Sequence, residues 1–465
     1  MSGEWTYHLQ DARNGAWLSR DLPLENVEIV DVLTGDNSVT GVLTPEDNTL
    51  DDLIEEWGNL LWAEKGGEIR AGGILTEATL VDNGNGLALT VEGYTRYLNG
   101  QTYGGKFRLW SADPLDCLRE LWRWTQARST SSDLGLVVDQ DVSTVKISDD
   151  QPPAKPNRAT VTYPAGSPYG AAGNTWPRPA RPRKPKQRRP KKRERRPTET
   201  QAHWDAYLDD YNDRLDAWQS NYQEINKGRL KPWRAWKRRL KFMRKKWEDD
   251  YGDREPYKLS WWEETDMGEE AARLAEEGGF EWRERHTWAS GAKAAVNHRL
   301  QLGWPTIGQD KRATVILEIT DDGDGVLLEN PEATHGGDKY ASHVMALGAG
   351  EGRKTRRAFV GGDNGRLRRV LTIARKRVKR PKRLAAIARE ERSYRVLMRH
   401  IDEVAVHDTT GTLGTLRLGD TISVRIVGSY WKSGTTAHRI VGRRYRPDDD
   451  DVIYLQLERA ERSSA

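Results

Sequence analysis

Cysteine is almost absent from this sequence, and so are the usual marks of a secreted or membrane protein. Cys117 is the single cysteine among 465 residues, which excludes a disulfide framework and any zinc site built from cysteines. No run of 18 apolar residues occurs, so we predict no membrane-spanning helix. The N-terminus lacks the basic and then apolar pattern of a signal peptide, so we expect synthesis in a cytosol and no secretion by a signal of its own.

Short catalytic motifs are also missing. The sequence contains no H-E-x-x-H, no G-x-S-x-G and no Walker loop, the patterns of zinc proteases, hydrolases and nucleotide-binding proteins. Gly348, Gly350 and Gly352 lack the third spacing of a dinucleotide fingerprint, and His335 and His343 lack a carboxylate at helical spacing. We therefore predict no catalytic residue, no cofactor and no metal site, and a protein that is not an enzyme.

What the sequence has in quantity is charge, and this charge is segregated. Residues 178–196 hold 12 Lys or Arg and one acid, residues 229–246 hold ten and no acid, and residues 353–395 hold 17 and three acids. These segments together carry +35, so the rest of the chain carries −31. Such segregation indicates an electrostatic partner, which is nucleic acid, another protein or the chain's own acidic parts.

Apolar periodicity predicts an α+β protein with β structure at both chain ends. Residues 87–91, 422–426 and 453–457 alternate between apolar and polar side chains, as half-buried strands do. Both ends contain a glycine-bearing strand, a polar turn and an alternating strand, which is either an internal repeat or two unrelated hairpins. We predict β domains near both chain ends, α/β middle domains and an inserted antiparallel helical hairpin.

These patterns divide the chain into seven segments. They are an N-terminal β domain at 1–107, an α/β segment at 108–164, a Pro/Arg-rich linker arm at 165–197, a helical hairpin at 198–250, an α/β domain at 251–320, a basic α/β segment at 321–395 and a C-terminal β domain at 396–465. The arm should be extended and solvated, because proline removes hydrogen-bond donors and like charges repel.

Residues 198–250 carry the clearest helical signal. Apolar residues recur every seven positions in two rows over 198–227, and a second helix follows Pro232. The first helix is acidic and the second basic, so we predict that they pack antiparallel with the apolar rows inside. The candidate interface residues on this hairpin are Trp204, Leu208, Tyr211, Leu215, Trp218, Trp233, Trp236 and Leu240.

The basic segments each have more than one interpretation. Residues 178–196 are either a solvated or protein-facing arm or a phosphate-binding segment, and they lack the interleaved aromatic residues of a single-strand binder. Residues 229–247 alone are typical of a membrane-surface helix, but the acidic helix offers a nearer partner. In the third segment the candidate interface residues are Arg375, Lys376, Arg377, Lys379 and Arg380.

Several short strings follow one another in a specific order. They are WGNLLWAEKGGEIRAGGILTEATLVDNGNGLALTVEGYTRYLNG, YKLSWWEETDMGEEAARLAEEGGFEWRERHTW, RLQLGWPTIGQDKR, YASHVMALGAGEG, LRRVLTIARKRV and LGDTISVRIVGSYWKSGTTAHRIVGRRYRPDDDDVIYLQLERA. This order resembles that of the hub, or minor tail, proteins of long-tailed phages that infect actinobacteria. The resemblance covers most of the chain outside residues 165–250.

The resemblance implies a homotrimeric hub at the tail tip of a virion. Two β-barrel-like domains per subunit would make a pseudo-sixfold ring that docks on the tail tube protein or distal tail protein and takes part in channel opening for genome delivery. The tape measure protein and other tail-tip proteins would be further partners, with DNA in contact only in passing. The alternatives are a nucleic-acid-binding protein that uses the basic Pro/Arg arm, and a cell-wall hydrolase.

Overall fold

The chain divides into two units in the computed structural model. Unit 1 consists of residues 1–148 and 257–465, and unit 2 consists of residues 149–256. The structure describes residues 4–44, 53–81, 85–185, 188–318, 327, 333–335, 340–363, 365–376, 378, 380–396, 399–407, 415–426, 434–448 and 452–460. The division into seven segments stays a prediction.

The strands of the described residues all belong to unit 1. In chain order they are β1 (Trp5–Asp11), β2 (Trp17–Ser19), β3 (Leu24–Val32), β4 (Ser38–Leu43), β5 (Asn59–Lys65), β6 (Glu68–Val81), β7 (Gly86–Glu92), β8 (Lys106–Leu109), β9 (Leu136–Val138), β10 (Tyr257–Ser260), β11 (Glu281–Trp288), β12 (Val296–Gly303), β13 (Ile316–Leu317), β14 (Ala333–His335), β15 (His343–Leu347), β16 (Arg357–Gly361), β17 (Val370–Ala374), β18 (Arg399–Ile401), β19 (Glu403–His407), β20 (Thr421–Ile426), β21 (Gly434–Tyr445) and β22 (Val452–Arg459).

The helices begin and end near the capping residues of the sequence. Within the described residues they are α1 (Pro114–Gln126), α2 (Gln201–Ile225), α3 (Leu230–Tyr251), α4 (Met267–Gly278) and α5 (Pro381–Arg395). Asp113 caps α1, and Pro114 occupies its first turn, where proline is well tolerated. Asp266 accepts a hydrogen bond from the backbone N–H of Glu269, and α4 ends at Gly279 with φ of 62°, a left-handed conformation that favours glycine.

Strands from both chain ends form one large sheet. Its order is β13-β20-β21-β3-β4-β7-β6-β5-β1-β2, and β22 pairs with both β21 and β19. The junction is the antiparallel pair of β3 and β21, in which Tyr445 lies opposite Ile29. The predicted α+β class is confirmed. The sheet order of the described strands ends at β2 and β13 and does not close into a barrel.

One apolar core joins the two chain ends. Leu61 and Leu75 from the N-terminal strands lie in the same buried cluster as Val424 and Leu455 from the C-terminal strands. The alternation in β7, β20 and β22 directs one side of each strand into this cluster, because successive side chains point to opposite faces of a sheet. Burial of these side chains is the main stabilising contribution.

Two further apolar clusters complete unit 1. The larger includes Trp122 of α1, Met267 of α4 and Leu300 of β12, all buried. The smaller packs α5 against the sheet of β15, β16 and β17, with Val344 and Leu384 fully buried. The helices of unit 1 are therefore held by their apolar faces against sheets.

Unit 2 consists of an outgoing extended segment and two returning helices. Hydrogen bonds join Pro153 to Trp247, Pro156 to Arg244, Thr162 to Arg239, Trp176 to Trp236, Arg183 to Asn226 and Arg193 to Tyr207. From Pro153 to Arg193 along the extended segment, the residue numbers of the hydrogen-bonded helix partners fall from 247 to 207. The extended segment thus runs antiparallel first to α3 and then to α2, so α2 and α3 follow one another along it.

The predicted antiparallel packing of α2 against α3 is therefore wrong. Among the described residues, the buried cluster of unit 2 contains side chains of α3 and of residues 161–176, and none of α2. Arg183 and Arg193 of the Pro/Arg-rich arm instead contact Asn226 and Tyr207, where α3 was expected. An extended chain advances about 31 Å over the ten steps from Arg183 to Arg193, which matches about 29 Å for the helical residues between Tyr207 and Asn226.

Candidate interaction surfaces

The predicted interface residues of α2 belong to the row of the helix that faces the arm. The half-buried side chains of this row are Trp204, Tyr207, Leu208, Tyr211, Leu215, Trp218 and Tyr222. The backbone N–H of Arg193 donates to Tyr207 Oη at 2.8 Å, and the Arg193 guanidinium lies 4.2 Å from the Tyr207 ring centroid. A hydrogen bond from Arg193 lowers the pKa of Glu199 to about 2. The chain's own arm thus supplies a partner for this row.

Asn226 forms hydrogen bonds with the arm at Arg183. Its Oδ1 accepts from the backbone N–H of Arg183 at 2.6 Å, and its Nδ2 donates to the carbonyl oxygens of Arg183 at 2.9 Å and Tyr222 at 2.8 Å. The side chain is fully buried. In the sequence this asparagine indicates only a helix end, because the bond partner lies 43 positions away.

The three predicted interface residues of α3 form the core of unit 2. Trp233, Trp236 and Leu240 are buried against Val161 and Trp176. They are therefore internal contacts of the chain and are not exposed to a partner. Because this apolar face is occupied, α3 does not present the free apolar face that a membrane-surface helix requires.

The opposite face of α3 is strongly basic. We define the α3 basic row as Lys231, Arg234, Arg238, Lys241 and Lys245, which recur at helical spacing and are all exposed. Unit 2 as a whole has 27 Lys and Arg against 15 Asp and Glu, a net charge of +12. Because α2 does not fold back on α3, its acidic side chains do not cover this row. The row is therefore open to an anionic partner.

The predicted interface of residues 375–380 lies beside acidic parts of unit 1. Arg375 Nε is 2.6 Å from Glu276 Oε1, and Arg380 donates to the carbonyl oxygens of Lys146, at 2.6 Å, and Ser148. Lys376 is exposed, whereas Arg377 and Lys379 lie outside the described residues. A cavity of about 1020 Å³ lies between α4 and this segment. Part of the positive charge of residues 353–395 is thus paired with a carboxylate of the same chain.

A second cavity in unit 1 is lined by separated segments of the sequence. It measures about 860 Å³ and contains Arg283 of β11, Arg443 of β21, and Arg417 and Asp420 of the loop before β20. We call it the arginine cavity. The cavity is not evident in the sequence, because Arg283 lies over 130 positions before the other three residues and none of the four belongs to a recognisable motif.

Other candidate chemical groups are buried or paired. In the described part of the chain, no three or more His, Cys, Asp or Glu side chains are grouped so that they could hold a metal ion. Burial raises the pKa of the Cys117 thiol, so this side chain behaves as a small apolar residue. The helices of the described residues are not long and apolar enough to cross a membrane.

Comparison with solved structures finds similarity to tail proteins over almost the whole chain. A tail protein from Neisseria meningitidis MC58 is 12% identical with a TM-score of 0.46, over 98% of this chain and 97% of that one. The 43 kDa tail protein of prophage MuSo2 from Shewanella oneidensis is 11% identical with a TM-score of 0.49, over 98% of both chains. A prophage tail protein from Listeria monocytogenes EGD-e is 6% identical with a TM-score of 0.45, over 99% and 95%. No protein-family model and no curated protein sequence matches the chain.

Proposed function

We propose that this chain is a structural hub protein of a phage tail tip and not an enzyme. The observation that carries the proposal is a repeated arrangement of strands at the two chain ends. β5, β6 and β7 pair in sequence order near the N-terminus, and β20, β21 and β22 pair in the same order near the C-terminus. This arrangement agrees with the order of sequence strings that resembles hub proteins.

The two three-stranded groups share further details. The central strand has 14 residues in β6 and 12 in β21, and each is longer than its neighbours. The register shifts between Leu75 and Glu77 in β6 and between Ile440 and Gly442 in β21. A Cβ on Gly73 would lie 2.0 Å from the backbone oxygen of Glu92, so β6 needs glycine for close approach to β7. A Cβ on Gly442 would lie 2.3 Å from Gln456 Oε1 in β22, a side-chain atom that can move away.

Because each subunit contains two such groups, three subunits supply the six modules of a pseudo-sixfold ring. The homotrimer would form a pseudo-sixfold ring of β-barrel-like domains, because each chain supplies two modules of similar topology. The ring would dock on the tail tube or distal tail protein at the tip of the virion and contact the tape measure protein and other tail-tip proteins. Its function is symmetry adaptation and channel opening during genome delivery.

Mass measurement of the purified full chain tests the trimer. We expect a particle of three times the 52.9 kDa chain mass by native mass spectrometry and sedimentation, and a threefold ring at the tail tip by electron microscopy of virions. Chains that stay monomeric at micromolar concentration, together with virion tails that lack the protein, would contradict the proposal.

A second candidate function is nucleic-acid binding, and the exposed α3 basic row favours it. Binding to duplex DNA would weaken steeply with salt, since each neutralised phosphate releases counterions. The triple variant Lys231→Gln, Arg234→Gln, Arg238→Gln should then reduce the slope of log affinity against log salt by about three. The matched control is Arg353→Gln, Lys354→Gln, Arg357→Gln, three exposed cations of unit 1. Equal slopes for both triple variants would exclude a role of the row.

A further inference from the structure

The arginine cavity contains a buried cation, Arg283, that forms no direct ion pair with a carboxylate of the described residues. Arg283 is 9% exposed. Its Nε donates to Gln301 Oε1 at 3.0 Å, and its Nη1 donates to the carbonyl oxygen of Leu418 at 2.6 Å. Among the described residues, no Asp or Glu oxygen lies within 4.0 Å of its guanidinium nitrogens. Both observed partners are neutral.

Three buried carboxylates of the lining, Asp31, Glu284 and Asp420, already have partners of their own. Asp31 pairs with Arg443. Asp420 lies 2.7 Å from Lys311 Nζ and also accepts the backbone N–H of Gln309 at 2.8 Å. These acids therefore reduce the positive potential of the cavity without neutralising Arg283.

Burial and neighbouring cations disfavour the protonated form of Arg283, but the side chain stays protonated. Burial lowers the pKa of Arg283, and the neighbouring cations Arg417 and Arg443 lower this pKa further, whereas Asp420 and Asp31 raise it. Arginine nevertheless stays protonated in proteins. Because no carboxylate of the described residues pairs directly with this buried charge, an anion that enters the cavity would stabilise it.

The geometry leaves room and donors for such an anion. A guanidinium has five N–H donors, and the two bonds of Arg283 leave three of them. A cavity of about 860 Å³ accepts an acidic group together with part of the molecule that bears it. Arginine binds planar or tetrahedral oxyanions through two parallel N–H···O bonds.

We propose that the arginine cavity is a binding site for an oxyanion, a phosphate or carboxylate group, anchored by Arg283. Arg417 and Arg443 flank the anion and supply the surrounding positive potential. The proposal rests on unit 1 alone and does not depend on the tail-tip function.

Titration calorimetry on the full chain tests this site. The probes are inorganic phosphate and succinate, each at constant ionic strength with chloride as the background anion. We expect saturable binding of at least one probe, and at least a tenfold loss of affinity in Arg283→Gln. The control variant is Arg13→Gln, an exposed arginine that pairs with Glu55, which should bind as the unchanged protein does.

The two probes distinguish the sources of the oxyanion. Binding of phosphate alone assigns a phosphate-bearing ligand, binding of succinate alone assigns a carboxylate-bearing ligand, and binding of both assigns a site that accepts either oxyanion. Circular dichroism checks that Arg283→Gln is folded, and the exposed Arg417→Gln provides a second variant with an expected loss of several-fold. Binding no stronger than that of chloride, or equal affinity in Arg417→Gln and folded Arg283→Gln, would overturn the proposal.

Discussion

At the scale of single residues, one buried carboxylate ties together distant parts of unit 1. Glu284 accepts hydrogen bonds from the backbone N–H groups of Tyr94, at 2.9 Å, and Thr95, at 2.6 Å. Burial raises the pKa of Glu284, but hydrogen bonds from His286 and Thr95 outweigh burial and hold this pKa below its usual range. The carboxylate thus stays ionised and fixes the turn after β7 to β11.

The same cluster makes stability depend on pH through His298. Burial first, and the charge of His286 second, lower the pKa of His298 to about 3. The unfolded chain binds this proton near pH 6.5, so stability is full above that pH and falls as the pH drops towards 3. For this group we expect a loss of about 2–3 kcal/mol between pH 6 and pH 4.

Urea unfolding of the full chain across this pH range measures the effect. His298→Gln should lose less stability on acidification, by about that amount. His203→Gln is the control, because His203 is exposed on α2, and it should follow the unchanged protein. Parallel pH curves for His298→Gln and the unchanged protein would contradict the assigned role.

At the scale of elements, periodicity predicted the helices of unit 2 but not their partners. The seven-residue spacing identified the buried or half-buried faces of α2 and α3, except that Ile225 at the end of α2 is exposed. Such a pattern states which face is buried and leaves open what covers it. Contact between the arm and α2 was not predicted because the cations of the arm suggested solvation, whereas Pro182, Pro185 and Pro190 are half-buried or buried between exposed lysines and arginines.

Removing the Asn226 side chain should release the arm from α2. Asn226→Ala deletes three hydrogen bonds at a buried site, at a cost of about 1–3 kcal/mol. Trypsin should then cleave the basic arm several-fold faster than in the unchanged protein. Asn221→Ala, an exposed asparagine of the same helix, is the control and should leave the cleavage rate unchanged. Equal cleavage in both variants would show that Asn226 does not hold the arm.

The docking of α3 should depend on its buried aromatic residues. Trp236→Ala empties a position that is 2% exposed and should destabilise unit 2 by about 3–5 kcal/mol. Phe242→Ala changes a side chain that is 57% exposed and should cost less than about 0.5 kcal/mol. Hydrogen exchange of α3 in the full chain measures both. Similar protection of α3 in the two variants would place its anchoring contacts elsewhere.

At the scale of the whole molecule, the sequence indicated strands at both ends but could not join them. Alternation in β7, β20 and β22 identifies the face of each strand that is buried. It contains no information on the pairing of β3 with β21, whose paired residues Asp31 and Arg443 are 412 positions apart. Backbone hydrogen bonds are the same whichever two strands pair. The choice of partner strand therefore depends on the packing of the complete core, which a local sequence pattern does not show.

Substitutions at Arg375 and Lys376 distinguish effects on folding from effects on assembly. Arg375 pairs with Glu276 of the same chain, so Arg375→Gln should lower the stability of unit 1 by at most about 1 kcal/mol and leave trimer formation unchanged. Lys376 is exposed, and its reversal to glutamate should raise the trimer dissociation constant at least tenfold with unchanged unfolding, because like charges would meet at the subunit contact. Sedimentation equilibrium and thermal unfolding of both variants measure the two effects. If Lys376→Glu assembles as the unchanged protein does, Lys376 does not lie at the subunit contact of the proposed trimer.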